Sequence, residues 1–399
     1  MTLKVVIIGH GYTSRLSIIR SVAEIGCDVT VIVMTISDKQ EKPIDCYSKY
    51  VNRFYYCGRS DGKELIRLLL DKCFDPDQKV VLIPDGDDVV AAIDTHQEQL
   101  KEYFLFPHIN HEEGAILKWM DKEKQKSLAR EIGLNVANAR VIEITEGKYS
   151  IPEDIQYPCF PKPLATMKGG KGGMRRCNDS SDLARALDYI IKTRNMSQKV
   201  LVEDYKEIDT EYALLGFSDG KEVMIPGILQ FLEVSKQHTG IALQGKVLPV
   251  TGFEDIIEQF KHLVLKIGFV GVFDIDFYRS GGILYFCEMN MRFGGSGYAY
   301  TKMGVNMPAM LVQYLYGNSI EMNQSINNTA VYVNERMCFD DWNNGFITIK
   351  DYYHYLETTD IRFVPDKKDP KPGMIYRKMF VRRLLINRLK RIYRNIITK

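Results

Sequence analysis

Residues 268–297 carry a row of oxygen-bearing side chains at a spacing that could bind a metal ion. These side chains stand two residues apart on either side of a Ser-Gly-Gly turn, with Asp274 and Asp276 before it and Glu288, Asn290 and Arg292 after it. Residues two apart on a strand point to the same face, and a short turn would bring the two sets opposite each other. Carboxylate and amide oxygens without a nearby histidine or paired cysteine suit Mg²⁺, which binds through one or two carboxylates together with substrate phosphates. The segment therefore predicts a magnesium site with a nucleotide as its ligand.

The alternative is an exposed strand face that simply carries acids. Apolar residues interleave with the acids in this segment, among them Val272, Ile275 and Phe286. A carboxylate in apolar surroundings needs a compensating partner, and a bound cation would supply one. The apolar neighbours therefore favour the metal site.

Residues 157–177 combine a lysine with a glycine-rich loop. A short predicted strand ends at Lys162, and four glycines follow it: Gly169, Gly170, Gly172 and Gly173. Glycine lets the backbone approach phosphate oxygens and turn its amides inward, while the lysine supplies positive charge. No G-K-[ST] sequence is present, so the loop is not a Walker loop. The segment predicts phosphate binding, with a flexible linker as the alternative.

Two further charged segments are ambiguous when taken alone. Residues 115–133 predict one amphipathic helix, because Met120, Leu128 and Ile132 recur at helical spacing, and on that pattern Lys122 would be solvated. Residues 200–212 begin as a buried strand and then become charged. Such a segment offers the apolar floor and polar acceptors that an adenine pocket needs, but each of its glutamates could equally be a surface charge.

Taken in order, these motifs resemble the ATP-grasp superfamily. The family pattern is an acid or Gln, about a dozen residues, and then Glu-x-Asn-x-Arg. Asp276, Glu288, Asn290 and Arg292 fill this pattern, with Met291 where many members carry proline. The resemblance implies that the first three hold the Mg²⁺ (or Mn²⁺) of a bound ATP, and that Arg292 stabilises charge on the transferred phosphoryl group.

The other motifs match the family in the same order. The resemblance implies that Lys122, from a DK pair, and Lys162, from a KP pair, contact the ATP phosphates, while the four glycines close over them. Pro161 replaces the usual aliphatic residue before the second lysine. For the adenine and ribose, the resemblance implies a VEDY strand and a later glutamate, which are here Glu203, Asp204, Tyr205 and Glu211.

The N-terminal third alternates buried strands with helices. Residues 4–11 predict an apolar strand that runs into a glycine turn, residues 28–34 and 80–84 predict further buried strands, and residues 14–25 have helical spacing, which predicts a parallel sheet with helices on both faces. A dinucleotide site is disfavoured because the glycine turn after residue 8 lacks the third glycine at its proper offset, and no acid closes the second strand. The domain that precedes the nucleotide fold in ATP-grasp proteins has the same arrangement.

These observations predict an α/β (α+β) fold in three parts. The parts are a parallel-sheet domain at 1–114, a two-lobed ATP-grasp domain at 115–320 (lobes 115–195 and 196–320), and a C-terminal extension at 321–399 with a basic amphipathic helix at 375–398. The length of 399 residues and the 45% apolar content suit a folded protein of two or three domains. No apolar run is long enough to span a membrane, no signal peptide is evident, and the eight cysteines form no C-x-x-C pair, so we expect a cytoplasmic protein.

The C-terminal segment has a charge opposite to that of the rest of the chain. Residues 371–399 carry ten Lys and Arg and no acid, whereas the other 370 residues have 43 basic and 51 acidic side chains. Apolar residues recur there at helical intervals: Val381, Leu385, Leu389, Ile392 and Ile396. The helix could lie on the inner, anionic face of the membrane, where each basic residue adds about 1 kcal/mol, or its stripe could pack against the acidic body. Nucleic acid is a weaker candidate partner because the body is acidic.

The resemblance implies an ADP-forming ligase that joins a carboxylate to an amine through an acylphosphate. A looser similarity to carbamoyl-phosphate-synthase-like and D-aspartate-ligase-like enzymes leaves both substrates open. The alternatives are an ATP-binding regulatory protein that has lost turnover and a phosphotransferase of the same fold. Asp85, Asp87 and Asp88, and the polar residues of segment 231–250, could line the substrate cleft.

Overall fold

The computed structural model describes residues 2–35, 41–58, 62–163, 174–193, 198–237 and 240–397. The N-terminal part is a five-stranded sheet in the order β3-β2-β1-β4-β5, and all of its strand pairs are parallel. Its elements are β1 (Lys4–Gly9), α1 (Tyr12–Ala23), β2 (Asp28–Thr35), β3 (Val51–Gly58), α2 (Lys63–Lys72), β4 (Val80–Asp85), α3 (Asp87–Asp94), α4 (Gln97–Leu100) and β5 (Phe104–Leu105). The parallel sheet predicted from the sequence is confirmed.

Strand β1 shows why this part of the sequence is apolar throughout. Val5 and Ile7 belong to one buried cluster together with residues of α1, whereas Val6 and Ile8 belong to another with residues of α2 and α3. Successive residues of a strand point to opposite faces, so both faces of the sheet are covered. A strand buried on both faces has no position at which a polar side chain would reach water.

The central part is a nine-stranded sheet with the main order β15-β14-β10-β12-β13-β16-β17. Its strands are β6 (His108–Ile109), β10 (Thr210–Asp219), β11 (Val223–Met224), β12 (Ile228–Val234), β13 (Ala242–Leu248), β14 (Phe269–Ser280), β15 (Ile283–Asn290), β16 (Ala330–Val333) and β17 (Ile361–Arg362). Strand β6 pairs with β14, and β16 pairs with β13. The predicted domain limits at residues 114 and 320 therefore separate segments that share one sheet, and these limits stay a prediction.

A third, three-stranded sheet in the order β7-β9-β8 forms a small lobe. It consists of β7 (Ala139–Ile144), β8 (Cys159–Pro163) and β9 (Gln198–Asp204), covered by α7 (Ser180–Thr193). Strand β9 lies beyond the predicted lobe limit at residue 195, yet it is the central strand of this sheet. Both β7 and β8 pair with it in the antiparallel sense.

The single helix predicted over residues 115–133 is divided into α5 (Ala115–Trp119) and α6 (Lys122–Glu131). The division falls at Asp121, whose carboxylate accepts hydrogen bonds from the backbone N–H groups of Glu123 (2.8 Å) and Lys124 (3.1 Å). An aspartate that caps the first turn in this way starts a new helix. The cap makes Lys122 the first residue of α6.

The remaining helices are α8 (Glu254–Ile267), α9 (Tyr298–Lys302), α10 (Met307–Leu315), α11 (Glu335–Asn343), α12 (Ile349–Glu357) and α13 (Pro370–Ile397). The first half of α13 packs through Tyr376 and Phe380 against an aromatic cluster on α11 and α12. Val381 and Leu385, in contrast, are 46% and 57% exposed. No helix in the described part of the chain is long and apolar enough to cross a membrane.

Candidate functional site

The hairpin of β14 and β15 places the predicted metal ligands directly opposite each other. Asp276 is paired with Glu288, and Asp274 is paired with Asn290. Residues that face each other across an antiparallel pair lie on the same side of the sheet. The two carboxylates and the amide therefore project from one face, as the residue spacing predicts.

A bulge in β15 makes this alignment possible. Between the turn and Phe277 the strands pair in one register, with Phe277 opposite Phe286, but the register shifts by one residue before Asp276 meets Glu288. Cys287 is the extra residue. If Cys287 were instead paired in a continuous register, Asp276 would face Cys287, and Glu288 would lie on the opposite side of the sheet.

Asp274 is the most buried acid of this face; its spacing placed it in the metal-binding row, but the family resemblance did not assign it as a ligand. It is 8% exposed, and burial raises the pKa of its carboxyl to about 7, an effect that Arg292 opposes and Glu288 reinforces. A side chain at Gly294 would collide with it, since a Cβ there would lie 2.8 Å from the carboxyl carbon. The glycine after the Arg-Phe pair therefore makes room for the acid.

Helix α6 supplies two lysines to the same region. Lys122 forms an ion pair with Glu288, and Lys126, one turn later, forms one with Glu203. Lys162, at the end of β8, donates to the other oxygen of Glu203 at 2.6 Å. Lys126 is 3% exposed, and burial lowers its pKa to about 7 with the positive charge of Lys162 as a further cause.

The sequence analysis did not identify Lys126, although its position four residues after Lys122 was an available signal. Residues four apart lie on the same face of a helix. If Lys122 faces the hairpin, the next turn of α6 must bring the side chain at 126 to the same side.

Gln125 attaches α6 to the metal-site strand through backbone hydrogen bonds. Its side-chain oxygen accepts from the N–H of Met289 at 2.9 Å, and its amide nitrogen donates to the carbonyl of Met289 at 2.9 Å and to that of Trp119 at 2.7 Å. Strand β15 is the edge of its sheet, so its outer backbone groups need partners from elsewhere. The glutamine supplies them between Glu288 and Asn290.

The residues assigned to adenine and ribose lie at the end of β9 and on β10, which are consecutive along the chain but belong to different sheets. Glu203 is 4% exposed, and its carboxylate contacts both Lys126 and Lys162. Asp204 accepts from the side chain of Asn138 at 3.1 Å, and the Tyr205 ring lies under the guanidinium of Arg176. Glu211, on β10, lies two residues before Ala213, which pairs with Asp276, so Glu211 is on the metal-ligand face of the sheet.

Part of the predicted phosphate loop lies outside the described residues. Gly169, Gly170, Gly172 and Gly173 belong to this group, as does His238 of segment 231–250. Gln244 of the same segment is described, and its amide donates to Thr358 at 3.0 Å and to the carbonyl of Tyr355. This glutamine therefore joins β13 to the C-terminal part of the chain.

A cleft of about 390 Å³ is lined by Lys122 and by the polar residues of the hairpin, and it reaches α1, α3 and α11. Lys162, Glu203 and Glu211 are not among its lining residues. Arg292 crosses the cleft and donates from Nε to the carboxylate of Asp87, at the start of α3, at 2.6 Å. Burial would lower the pKa of the guanidinium, but Asp87 and Asp274 outweigh this effect and raise it. Asp87 thus lines the cleft. Asn334, which caps the N-terminus of α11, and Arg336 on that helix also line it, and no pattern in the sequence predicted them.

The donor set fits a magnesium ion that is bound together with phosphate. Asp276 and Glu288 offer two opposed carboxylates, and Asn290 adds an amide oxygen. In the described part of the chain no group of three or more His, Cys, Asp and Glu side chains is placed to hold a metal ion. Mg²⁺ is usually bound through one or two carboxylates and completes its shell with water and phosphate oxygens, which is what this set would require.

Comparisons with known proteins point to one family. A family model described as an ATP-grasp domain matches residues 127–308. The carbamoyl phosphate synthase large chain of Halomonas eurihalina is 26% identical over 189 residues, which are 47% of this chain and 17% of that protein. The chain thus spans less than a fifth of the length of this relative.

Two solved structures have the same fold over most of the chain. A biotin carboxylase–β,γ-ATP complex from Campylobacter jejuni superposes with a TM-score of 0.64 at 17% identity, and the match covers 82% of this chain and 75% of that one. An L-amino acid ligase from Bacillus licheniformis superposes with a TM-score of 0.62 at 17% identity, covering 83% and 79%. At this level of identity the likeness concerns the fold alone.

Proposed function

Because residues 127–308 form an ATP-grasp domain, this chain belongs to the ATP-grasp superfamily, and we propose that it is an ATP-dependent ligase that joins a carboxylate to an amine and releases ADP and phosphate. The family membership confirms the resemblance found in the sequence. The observation that carries the proposal is the pairing of Asp276 with Glu288 in one cleft with Lys122 and Arg292. The two carboxylates can bind the metal ion of a metal–nucleotide complex, and the lysine and arginine can stabilise negative charge that develops on the phosphoryl group.

In this proposal Asp276, Glu288 and Asn290 hold Mg²⁺ or Mn²⁺. When bound, the ion neutralises the β- and γ-phosphates of ATP. Lys122 contacts Glu288 in the structure, so a cation between the carboxylates would leave the ammonium group available to a phosphate oxygen. Lys162 would bind phosphate from the opposite lobe, with the glycines at 169, 170, 172 and 173 covering it.

For the nucleoside, we propose that the end of β9 and the start of β10 form the binding surface. Glu203 orients Lys126 and Lys162, because its two carboxylate oxygens each contact one of them. Asp204 and Tyr205 follow at the strand end, where polar groups and an aromatic ring can reach the adenine. Glu211, on the metal-ligand face, would accept hydrogen bonds from the ribose hydroxyls.

The chemical steps need no nucleophile from the protein. An oxygen of the substrate carboxylate attacks the γ-phosphorus, and the bond to the β-phosphate oxygen breaks to release ADP. The amine then attacks the carbonyl carbon of the acylphosphate, loses a proton, and expels inorganic phosphate. Arg292, half-buried and held by Asp87, would stabilise negative charge on the phosphoryl group and on the tetrahedral intermediate.

The test is ADP release from purified protein with MgATP, across acids crossed with amines, with products weighed by mass spectrometry. We expect release only when one acid and one amine are both present, and a product lighter by one water than their sum. Glu288→Gln should abolish it, whereas Glu258→Gln, at an exposed position on α8, should not. Release that needs the acid but no amine would favour the phosphotransferase. Tight ATP binding without any release would favour the regulatory protein.

A second proposal concerns the outward face of α13. Val381 and Leu385 are exposed although the same helix packs inward through Tyr376 and Phe380, which argues against packing of these two residues on the body of the protein. We propose that this face binds an anionic lipid surface on the cytoplasmic side of a membrane. Side chains of Leu389, Ile392 and Ile396 lie outside the described part.

Cosedimentation with phosphatidylserine vesicles tests this second proposal. Leu385→Asp should remove the protein from the vesicle pellet, because it places a charge in the apolar stripe. Ile283→Asp changes a residue of similar exposure, 48%, at the tip of the hairpin and should have no effect. Equal loss in both variants, or binding that does not depend on anionic lipid, would contradict the proposal. Removal of the whole segment after Lys371 is a poorer test, since it also uncovers the aromatic cluster.

A further inference from the structure

The cleft has a second end, away from the paired carboxylates, where the N-terminus of α1 meets α11. Gly11, the N-cap of α1, and Thr13, in its first turn, line this end together with Arg336. A Cβ at Gly11 would lie 3.4 Å from a terminal nitrogen of the Arg336 guanidinium, so the arginine rests against the glycine backbone. The guanidinium also lies over the Tyr12 ring, 5.0 Å from its centre.

Two features of this end are suited to an anion. The first-turn N–H groups of a helix have no partner within the helix, and α1 receives no side-chain cap from Gly11. Thr13 is 6% exposed, and among the described residues its hydroxyl has no hydrogen-bond partner. A buried hydroxyl without a partner costs free energy unless a ligand or water supplies one.

The acidic groups near this end already have partners of their own. Ser14 donates to Asp85 at 2.5 Å, and His10 contacts the Asp88 carboxylate at 2.8 Å. The Arg336 Nε forms an ion pair with Asp340, one turn further along α11, at 3.6 Å, whereas a terminal nitrogen of the guanidinium lies toward Gly11. The cleft lining includes Arg336, Gly11 and Thr13 but not Asp340, so the guanidinium, the N-terminus of α1 and the Thr13 residue share this end of the cleft.

We propose that this end of the cleft binds an anionic group, a carboxylate or a phosphate, that one substrate carries in addition to its reacting group. The inference rests on the proposed ligase function, because it places the reacting group at Arg292 and the second group at Arg336. A substrate class follows from this placement. One of the two substrates either carries at least two negative charges or is a zwitterion whose own carboxylate does not react.

Calorimetric titration of the full-length chain with inorganic phosphate tests the site without knowledge of the substrate. With MgADP filling the nucleotide site, we expect phosphate binding that Arg336→Gln weakens about ten- to hundredfold, the worth of one charge-assisted hydrogen bond. Thr13→Val should weaken it about two- to tenfold, the worth of a neutral bond. Arg67→Gln, at a position 81% exposed on α2, is the matched control and should leave the affinity unchanged.

Phosphate affinity that is equal in wild type and Arg336→Gln, or no phosphate binding at all, would overturn the inference. Failure of MgADP to bind would instead count against the proposed function, and the same comparison of variants without nucleotide would still decide the anion site. Titrations with two pairs of compounds then distinguish a carboxylate from a phosphate: succinate is compared with butyrate, and O-phosphoserine with serine. If the compound with the additional anionic group binds more tightly than its partner, and only when Arg336 is present, that additional group is the one the site binds. If neither pair shows such a gain in affinity, the proposed substrate class is contradicted.

Discussion

Replacement of Gln125 by leucine tests whether α6 holds the metal-site strand in place. The side chain is 2% exposed and forms three hydrogen bonds, two of which satisfy the backbone N–H and carbonyl of Met289. Leucine has a similar volume but offers neither donor nor acceptor. The change therefore leaves two backbone groups on the edge of β15 buried without partners.

The expected loss of stability follows from those two groups. Each buried group left without a partner costs about 1–3 kcal/mol, so Gln125→Leu should lower the free energy of unfolding by about 2–6 kcal/mol. For a unit of about 200 residues, 1 kcal/mol moves the thermal midpoint by about 2–4 °C. We therefore expect the midpoint to fall by at least about 4 °C.

The assay is thermal unfolding followed by fluorescence, combined with the Mg²⁺ dependence of nucleotide binding. Because Met289 stands between Glu288 and Asn290, a loosened strand should also raise the Mg²⁺ concentration needed for half-maximal binding. Gln259→Leu is the control, since it removes one solvent-accessible hydrogen bond to the Gly133 carbonyl and should cost less than about 0.5 kcal/mol. If both variants shift the midpoint equally, Gln125 does not support the strand as we describe.

Three further predictions concern other parts of the structure. Deletion of Cys287 should remove the bulge and let the register near the turn continue, which leaves Glu288 opposite Asp276, so Mg²⁺-dependent nucleotide binding should be retained in calorimetry. Loss of that binding with an unchanged circular dichroism spectrum would contradict this account of the bulge. Glu203→Gln should destabilise the chain by about 3–5 kcal/mol in chemical denaturation, because it removes the buried carboxylate that Lys126 and Lys162 share, and an unchanged midpoint would show that these ion pairs are not formed in solution. Burial, with the neighbouring His111 as a smaller cause, lowers the pKa of His108 from 6.5 to about 4, so the unfolded chain binds the extra proton first and stability should fall as pH drops below about 6.5, by about 2 kcal/mol at pH 5. The same pH change should affect His108→Asn less, and equal pH profiles for both proteins would refute the assignment.

Local patterns in the sequence were sufficient for the hairpin and for the N-terminal sheet. The two-residue spacing of Asp274, Asp276, Glu288 and Asn290 on either side of a glycine turn requires only strand geometry, and the structure has the turn at Gly281 and Gly282. In the same way, continuous apolar runs alternating with helical segments predict a parallel sheet. These predictions succeeded because each depends on residues that are neighbours along the chain.

Other features were missed, one because of a local contact and two because they depend on how segments pair in the completed sheets. The sequence predicts one helix over residues 115–133, but the Asp121 cap divides it, because a side chain that bonds the backbone locally can override helical periodicity. The bulge at Cys287 has no sequence signal, since a one-residue shift is decided by which side chains can be buried on each face of the completed sheet. Strand β9, likewise, joins the small lobe through pairs with β7 and β8.

The amino-acid sequence by itself determined which chemical groups the site has: two opposed carboxylates, an amide, an arginine and lysines in a fixed order. Only the tertiary structure decided which charge meets which. Lys126 with Glu203, Arg292 with Asp87, and Arg336 at the N-terminus of α1 join residues that are tens to hundreds of positions apart. Such pairs form because folding brings these charges into partly or fully buried surroundings, where each must find a partner, and the distance along the chain carries no record of that requirement.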